Sequence, residues 1–180
     1  MTGCRLDLKI RAMLIGAILA GLVPGAAFAG GVRPPQGGEV TMKIGDHLPA
    51  VTLTGAGGTR VRLADSVGRV AVISVVPQLN TPVCDEQTHH FSERNGGLDR
   101  VVEFVTIGTN MPEDQARFAA KVGISNMRFL SDAPSYGFGK QIGLVLPLYE
   151  VPHRAVLVED ADTIIRYLQL VPMGELPNFE

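Results

Sequence analysis

Cys84 stands seven residues after a proline and three after a threonine, in the run Pro77-Gln78-Leu79-Asn80-Thr81-Pro82-Val83-Cys84-Asp85. An apolar, β-branched stretch, Val70 to Val76, leads into Pro77. After a short polar loop a helix is predicted to begin at or just before the cysteine. A sulfur in the first turn of a helix meets free backbone N–H groups and the positive end of the helix dipole. That environment favours thiolate over thiol, and the thiolate is the nucleophile. Thr81 is spaced to turn its hydroxyl toward the sulfur or a bound substrate, and Pro77 shapes the approach to the loop. Arg154 opens a later apolar strand, where an unpaired cation is costly. Beside Cys84, a guanidinium would stabilise a thiolate and hold a polar substrate. The competing reading of Cys84 is a buried structural cysteine.

These residues need elements to hold them. Val40 to Lys43 and Ala50 to Leu53 read as short strands. Gly55 to Thr59 is a glycine-rich turn into Val61-Arg62-Leu63, which makes a hairpin. Val70 to Val76 and Val101 to Ile107 are almost wholly apolar, as central strands buried on both faces are. Cys84 to Arg94 and Pro112 to Val122 read as helices, the second with Asn110 as its cap and Glu113 and Asp114 in its first turn. Met127 to Leu130 is a short strand, and Ser135 to Ile142 a short helix or irregular turn. Arg154 to Val158 and Ile164 to Leu170, joined by the polar turn Glu159 to Asp162, make a second hairpin. Alternating strands and helices followed by a hairpin predict an α/β domain with a mixed central sheet.

Residues 1–29 read as a secretory signal peptide. Arg5, Lys9 and Arg11 give a basic start, Met13 to Val23 an apolar run, and Ala27-Phe28-Ala29 a small-x-small cleavage site. The apolar run is short for a membrane span and is broken by Pro24 and Gly25, which favours cleavage over an anchor. The expectation is an exported protein, periplasmic or secreted, with no membrane attachment once mature. Residues 30–39 read as a flexible linker and 40–180 as one domain. The chain has two cysteines. Cleavage removes Cys4, so the mature chain keeps one thiol and forms no internal disulfide. The formal net charge is −2 and becomes more acidic after cleavage, which argues against a nucleic-acid partner.

Pro77-x-x-x-Thr81-x-x-Cys84 resembles the peroxidatic motif of the peroxiredoxins, and the wider pattern is similar to their thiol peroxidase family. Thr81-Pro82-Val83-Cys84 with Gln87-Thr88 and Phe91 resembles that branch's cysteine helix. Phe129-Leu130-Ser131-Asp132, Phe138-Gly139, Arg154-Ala155-Val156 and Pro177-Asn178-Phe179-Glu180 resemble its later landmarks. The resemblance implies a thioredoxin-like fold with an N-terminal β-hairpin, and reduction of hydrogen peroxide and organic hydroperoxides. It implies that Cys84 is the peroxidatic cysteine, that Pro77 shields it, that Thr81 hydrogen-bonds it and the peroxide, and that Arg154 stabilises the thiolate. It also suggests a homodimer. Three departures stand out. The family's resolving cysteine follows an Arg-Phe pair in the next helix, and Ala119 occupies that place here. Asn80 stands where the family has Asp. The family continues into a last helix beyond the point matched by Glu180. Without a resolving cysteine, recycling requires an external thiol reductant.

Other readings compete. An oxidant sensor that does not turn over needs only the reactive cysteine. A thioredoxin-fold binding module such as an exported copper-delivery protein needs a second sulfur close to the first, and the sequence has none. His89 and His90 point about 100° apart on a helix and form no i, i+4 pair, so with Asp85 they read as a solvated face. His153 reads as a strand-end or pocket-rim residue. Met111, Met127 and Met173 are too dispersed for copper and read as packing residues. No cofactor and no metal site is expected.

Overall fold

The computed structural model describes residues 40–65, 68–146 and 149–179. The predicted signal peptide, the linker and Cys4 lie outside them. In chain order, β1 (Thr52–Thr54) and β2 (Arg60–Arg62) form the expected hairpin, and β3 (Ala71–Val75) leads into α1 (Pro82–Glu93). β4 (Glu103–Gly108), α2 (Pro112–Val122), β5 (Arg128–Ser131) and α3 (Gly137–Gln141) follow. A small pair, β6 (Val145–Leu146) and β7 (Val151–Pro152), precedes the closing hairpin of β8 (Ala155–Glu159) and β9 (Ile165–Leu170). The main sheet has seven strands in the order β2-β1-β5-β4-β3-β8-β9. β3, β4 and β5 are parallel, while β8 lies antiparallel on β3.

Side-chain alternation divides this sheet into two covered faces. Ile73, Val105, Ile107, Leu130 and Leu157 point to one side and pack with Phe138 of α3 and Ile142. Each such fully buried side chain contributes roughly 1.5–3 kcal/mol. Ser74, Phe104 and Phe129 point to the other side, under α1 and α2. Phe91 of α1 meets Phe104, and Phe118 of α2 meets Phe129, with ring centroids 6.2 and 6.1 Å apart. The β-branched runs become central strands because they are buried on both faces.

Two expectations are corrected. Val40 to Lys43 is irregular backbone, tied by a Thr41 N–H bond to the Ile142 carbonyl rather than by a ladder. β6 and β7 are two residues each, too short to leave a periodic signal. Met111, not Asn110, is the N-cap of α2, and it makes no side-chain cap bond. Pro112 at the first helical position needs no N–H partner, and Gly123 closes the helix at φ 73°, a conformation open to glycine.

At the far end of β8, Glu159 is fully buried, and neither carboxylate oxygen has a hydrogen-bond partner among the described residues. Glu103 and Glu159 flank Ala71 on one sheet face. Glu103 is held by Arg128 at 3.1 Å and Asp160 by Arg166 at 2.6 Å, which leaves Glu159 without a cation among the described residues. Burial, then Glu103 and Asp160, push its pKa from 4.5 to about 7. The folded state therefore binds this proton more tightly than the unfolded chain. Stability contributed here is full below pH 4.5 and declines as pH rises toward 7. Glu159→Gln should remove that decline, gaining at most about 3 kcal/mol above pH 7 and little at pH 4. Denaturant titrations at both pH values check this; an equal effect at the two would refute it.

Candidate active site

The cysteine loop is built by a change of backbone direction. β3 ends at Val75, Pro77 cannot donate to a ladder, and Thr81 is extended at φ −100° and ψ 147° as the N-cap of α1. Pro82 takes the first helical position, and Cys84 falls in the first turn, whose amides have no acceptor four residues back inside the helix. Cys84 is only 1% exposed and packs with Val76 and Leu79 against Phe118 and Phe129.

Arg154 comes from the segment that leads into the adjacent strand. It lies one residue before β8, which pairs with β3 in the register Val75↔Ala155. That register puts the start of β8 beside the end of β3, so the guanidinium and the cysteine loop share one end of the sheet. Arg154 is buried, and its Nη2 donates to Cys84 Sγ at 3.1 Å. Nη1 donates to Gln87 Oε1, and Gln87 Nε2 donates to Ser74 Oγ at 2.7 Å. Arg154 Nε is buried with no partner among the described residues.

Pro77, Thr81, Cys84 and Arg154 line one cavity of about 330 Å³. The four predicted site residues are thus brought together. The Thr81 hydroxyl, expected at the sulfur, instead donates to the Gln78 carbonyl at 3.0 Å. His153 lines the same cavity, as a rim residue should, with Nδ1 2.9 Å from the Arg154 carbonyl. The rest of the wall is mostly apolar, with Leu146, Tyr149, Val151 and Pro152. Met173 also lines it and is exposed, as is Met111, so neither is the packing residue expected from the sequence. Met127 accepts from the Thr106 hydroxyl at 3.5 Å.

Gln87 is a further functional residue, one that the motif spacing alone does not mark for chemistry. Its signal is spacing: three residues after Cys84 on one helix, it shares that face, and a fully buried amide must find partners. Ala119 does not line the Cys84 cavity. It lies in a separate cleft with Ala116, Gln115 and Phe129. His89 sits between Asp85 at 3.6 Å and Glu93 at 2.7 Å on the outer face of α1, a solvated charge stripe. No group of three or more metal-ligating side chains occurs among the described residues.

The family model described as Redoxin matches residues 43–180. The thiol peroxidase of Streptococcus pneumoniae (strain ATCC BAA-255 / R6) is 35% identical over 140 residues, covering 77% of this chain and 85% of that protein. The thiol peroxidase of Halalkalibacterium halodurans is 37% identical over 144 residues, covering 80% and 85%. The crystal structure of a peroxiredoxin-like protein from Aquifex aeolicus matches with a TM-score of 0.70 at 29% identity, over 77% of this chain and 82% of that one. The α/β architecture is thioredoxin-like.

Proposed function

The chain belongs to the peroxiredoxins, in their thiol peroxidase branch, and from that premise we propose that Cys84 is the peroxidatic nucleophile of a one-cysteine cycle run on an external thiol. The observation that carries this reading is the 3.1 Å contact between Arg154 Nη2 and Cys84 Sγ, both of which line the cavity. In the proposed reaction the thiolate attacks one peroxide oxygen and the O–O bond breaks. Cys84 becomes a sulfenic acid, while the other oxygen leaves with its charge and takes up a proton. Donors fixed on that developing charge lower the barrier. Arg154, which lines the cavity, supplies them through its guanidinium. Pro77 shields the sulfur. Thr81 would serve the peroxide by turning its hydroxyl from the Gln78 carbonyl. The apolar wall suits the tail of an organic hydroperoxide as well as hydrogen peroxide itself.

The second half of the cycle follows from what Ala119 lacks. An alanine methyl forms no disulfide, so the sulfenic acid waits for a thiol from outside. That thiol condenses with it, releasing water, and a second thiolate then frees Cys84. Turnover should therefore scale with the identity and concentration of added thiol. With excess peroxide and no thiol, intact-mass spectrometry should show one and then further oxygens added per chain. Efficient recycling without external thiol would defeat the one-cysteine scheme. Oxidation that no thiol reverses would favour the sensor reading, which the missing resolver also supports. Ala119→Cys should restore an internal disulfide if α1 or α2 unwinds locally.

Export rests on the sequence of residues 1–29, and the division into signal peptide, linker and domain rests on it too. No helix among the described residues is long and apolar enough to cross a membrane. A homodimer is the assembly that the family relationship supports.

A further inference from the structure

The connection between β4 and α2 does something its own helix does not use. Asn110 is free of the capping role, and its Oδ1 accepts from the Leu79 N–H at 2.8 Å. Its neighbour Thr109 donates through Oγ1 to the Pro77 carbonyl at 2.5 Å. Asn110 Nδ2 also lies 3.5 Å from Asn80 Oδ1. Two consecutive side chains from one loop thus hold the backbone of another, the one that runs from Pro77 to Thr81. Neither residue lines the Cys84 cavity. Leu79 is 1% exposed and packs with Cys84, so its N–H needs a protein acceptor. An asparagine used as an N-cap would have stabilised α2 by about 1 kcal/mol. Here that amide serves the cysteine loop instead.

We propose that Asn110 is a positioning residue for peroxide reduction, its amide oxygen pinning the Leu79 N–H so that Pro77 and Thr81 stay fixed over Cys84. This rests on the reading of Cys84 as the peroxidatic nucleophile. The chemistry asks for the placement, because a small displacement of groups around a reacting atom costs rate out of proportion to the energy of the bond that held them.

The test is the second-order rate of peroxide reduction, by stopped flow, in variants whose fold is checked by circular dichroism. Asn110→Leu removes the acceptor at similar size and should slow the reaction about tenfold, the scale of one hydrogen bond's free energy. Asn110→Ala serves as the second variant should Asn110→Leu not fold. Asn110→Asp keeps an acceptor for Leu79, and Asn80 can turn its amide to donate, so this variant should stay within about threefold of wild type. If Asn110 acts through the loop, its loss adds little in a Thr81→Val background, whereas independent effects would multiply. Wild-type rates in the variants lacking the acceptor, no rescue by aspartate, or multiplicative losses would each overturn the proposal. A wild-type protein inert to peroxide would instead overturn the underlying functional reading, and that result is visible before any variant is compared.

Discussion

Cys84→Ser reduces peroxide consumption to the uncatalysed background. A serine hydroxyl at this place is neither ionised nor polarisable enough to displace an oxygen from an O–O bond. Cys84 is the only free cysteine among the described residues, so no other thiol in the domain takes over. The fold should tolerate the change, since the substituted atom is similar in size and can still accept from Arg154. Near-wild-type melting together with background activity is the expected pair of results, read by stopped flow and thermal unfolding. Measurable peroxide turnover in the serine variant would remove Cys84 from the mechanism.

Arg154→Met should lower the rate of peroxide reduction about 10²–10³-fold, the usual loss for a donor fixed on developing transition-state charge. Methionine keeps much of the buried length and removes the charge and the planar donor fork. It also strands Gln87 Oε1, which is fully buried and loses its partner, at a cost of about 1–3 kcal/mol in stability. Arg154→Lys should not rescue the rate. A single ammonium cannot reproduce the two directed bonds that Nη1 and Nη2 make to Gln87 and the sulfur. Rates of the two variants side by side decide this, and a near-normal rate in Arg154→Met would refute the role assigned to the guanidinium.

Much of this arrangement was legible in the chain itself, for reasons that differ by residue. The strand into Pro77, the helix over Cys84 and the closing hairpin follow from local pattern, because β-branched runs and turn residues act within a few positions. That Arg154 meets Cys84 was readable only as a cost argument about a cation in an apolar strand. The meeting itself depends on the register of β3 against β8, which no local window contains. The role of Gln87 is not legible locally because it lies in its partners, Ser74 on β3 and Arg154 just before β8. Asn110 shows the same limit of local pattern. Next to Pro112 it has the composition of a cap, and tertiary contact with Leu79 overrides that preference. Thr81 has the right spacing to reach the sulfur, yet its hydroxyl donates to the Gln78 carbonyl.

The pairing of β3 with β8 also sets which changes of chain length this protein can survive in evolution or engineering. Ser74 and Val156 are registered neighbours on the face that α1 covers, and Arg154 lies two residues before Val156 on that same face. Deleting or inserting one residue within β8, upstream of a fixed hairpin, rotates every preceding side chain to the opposite side of the sheet. The guanidinium would then face the apolar layer around Ile73 and Leu157, with the sulfur on the far side of the strand. The turn between β8 and β9 carries no such constraint, because its length changes leave the β3 register untouched. Length variation among descendants of this chain should therefore collect in the Asp160 to Thr163 turn and be purged from the five residues before it.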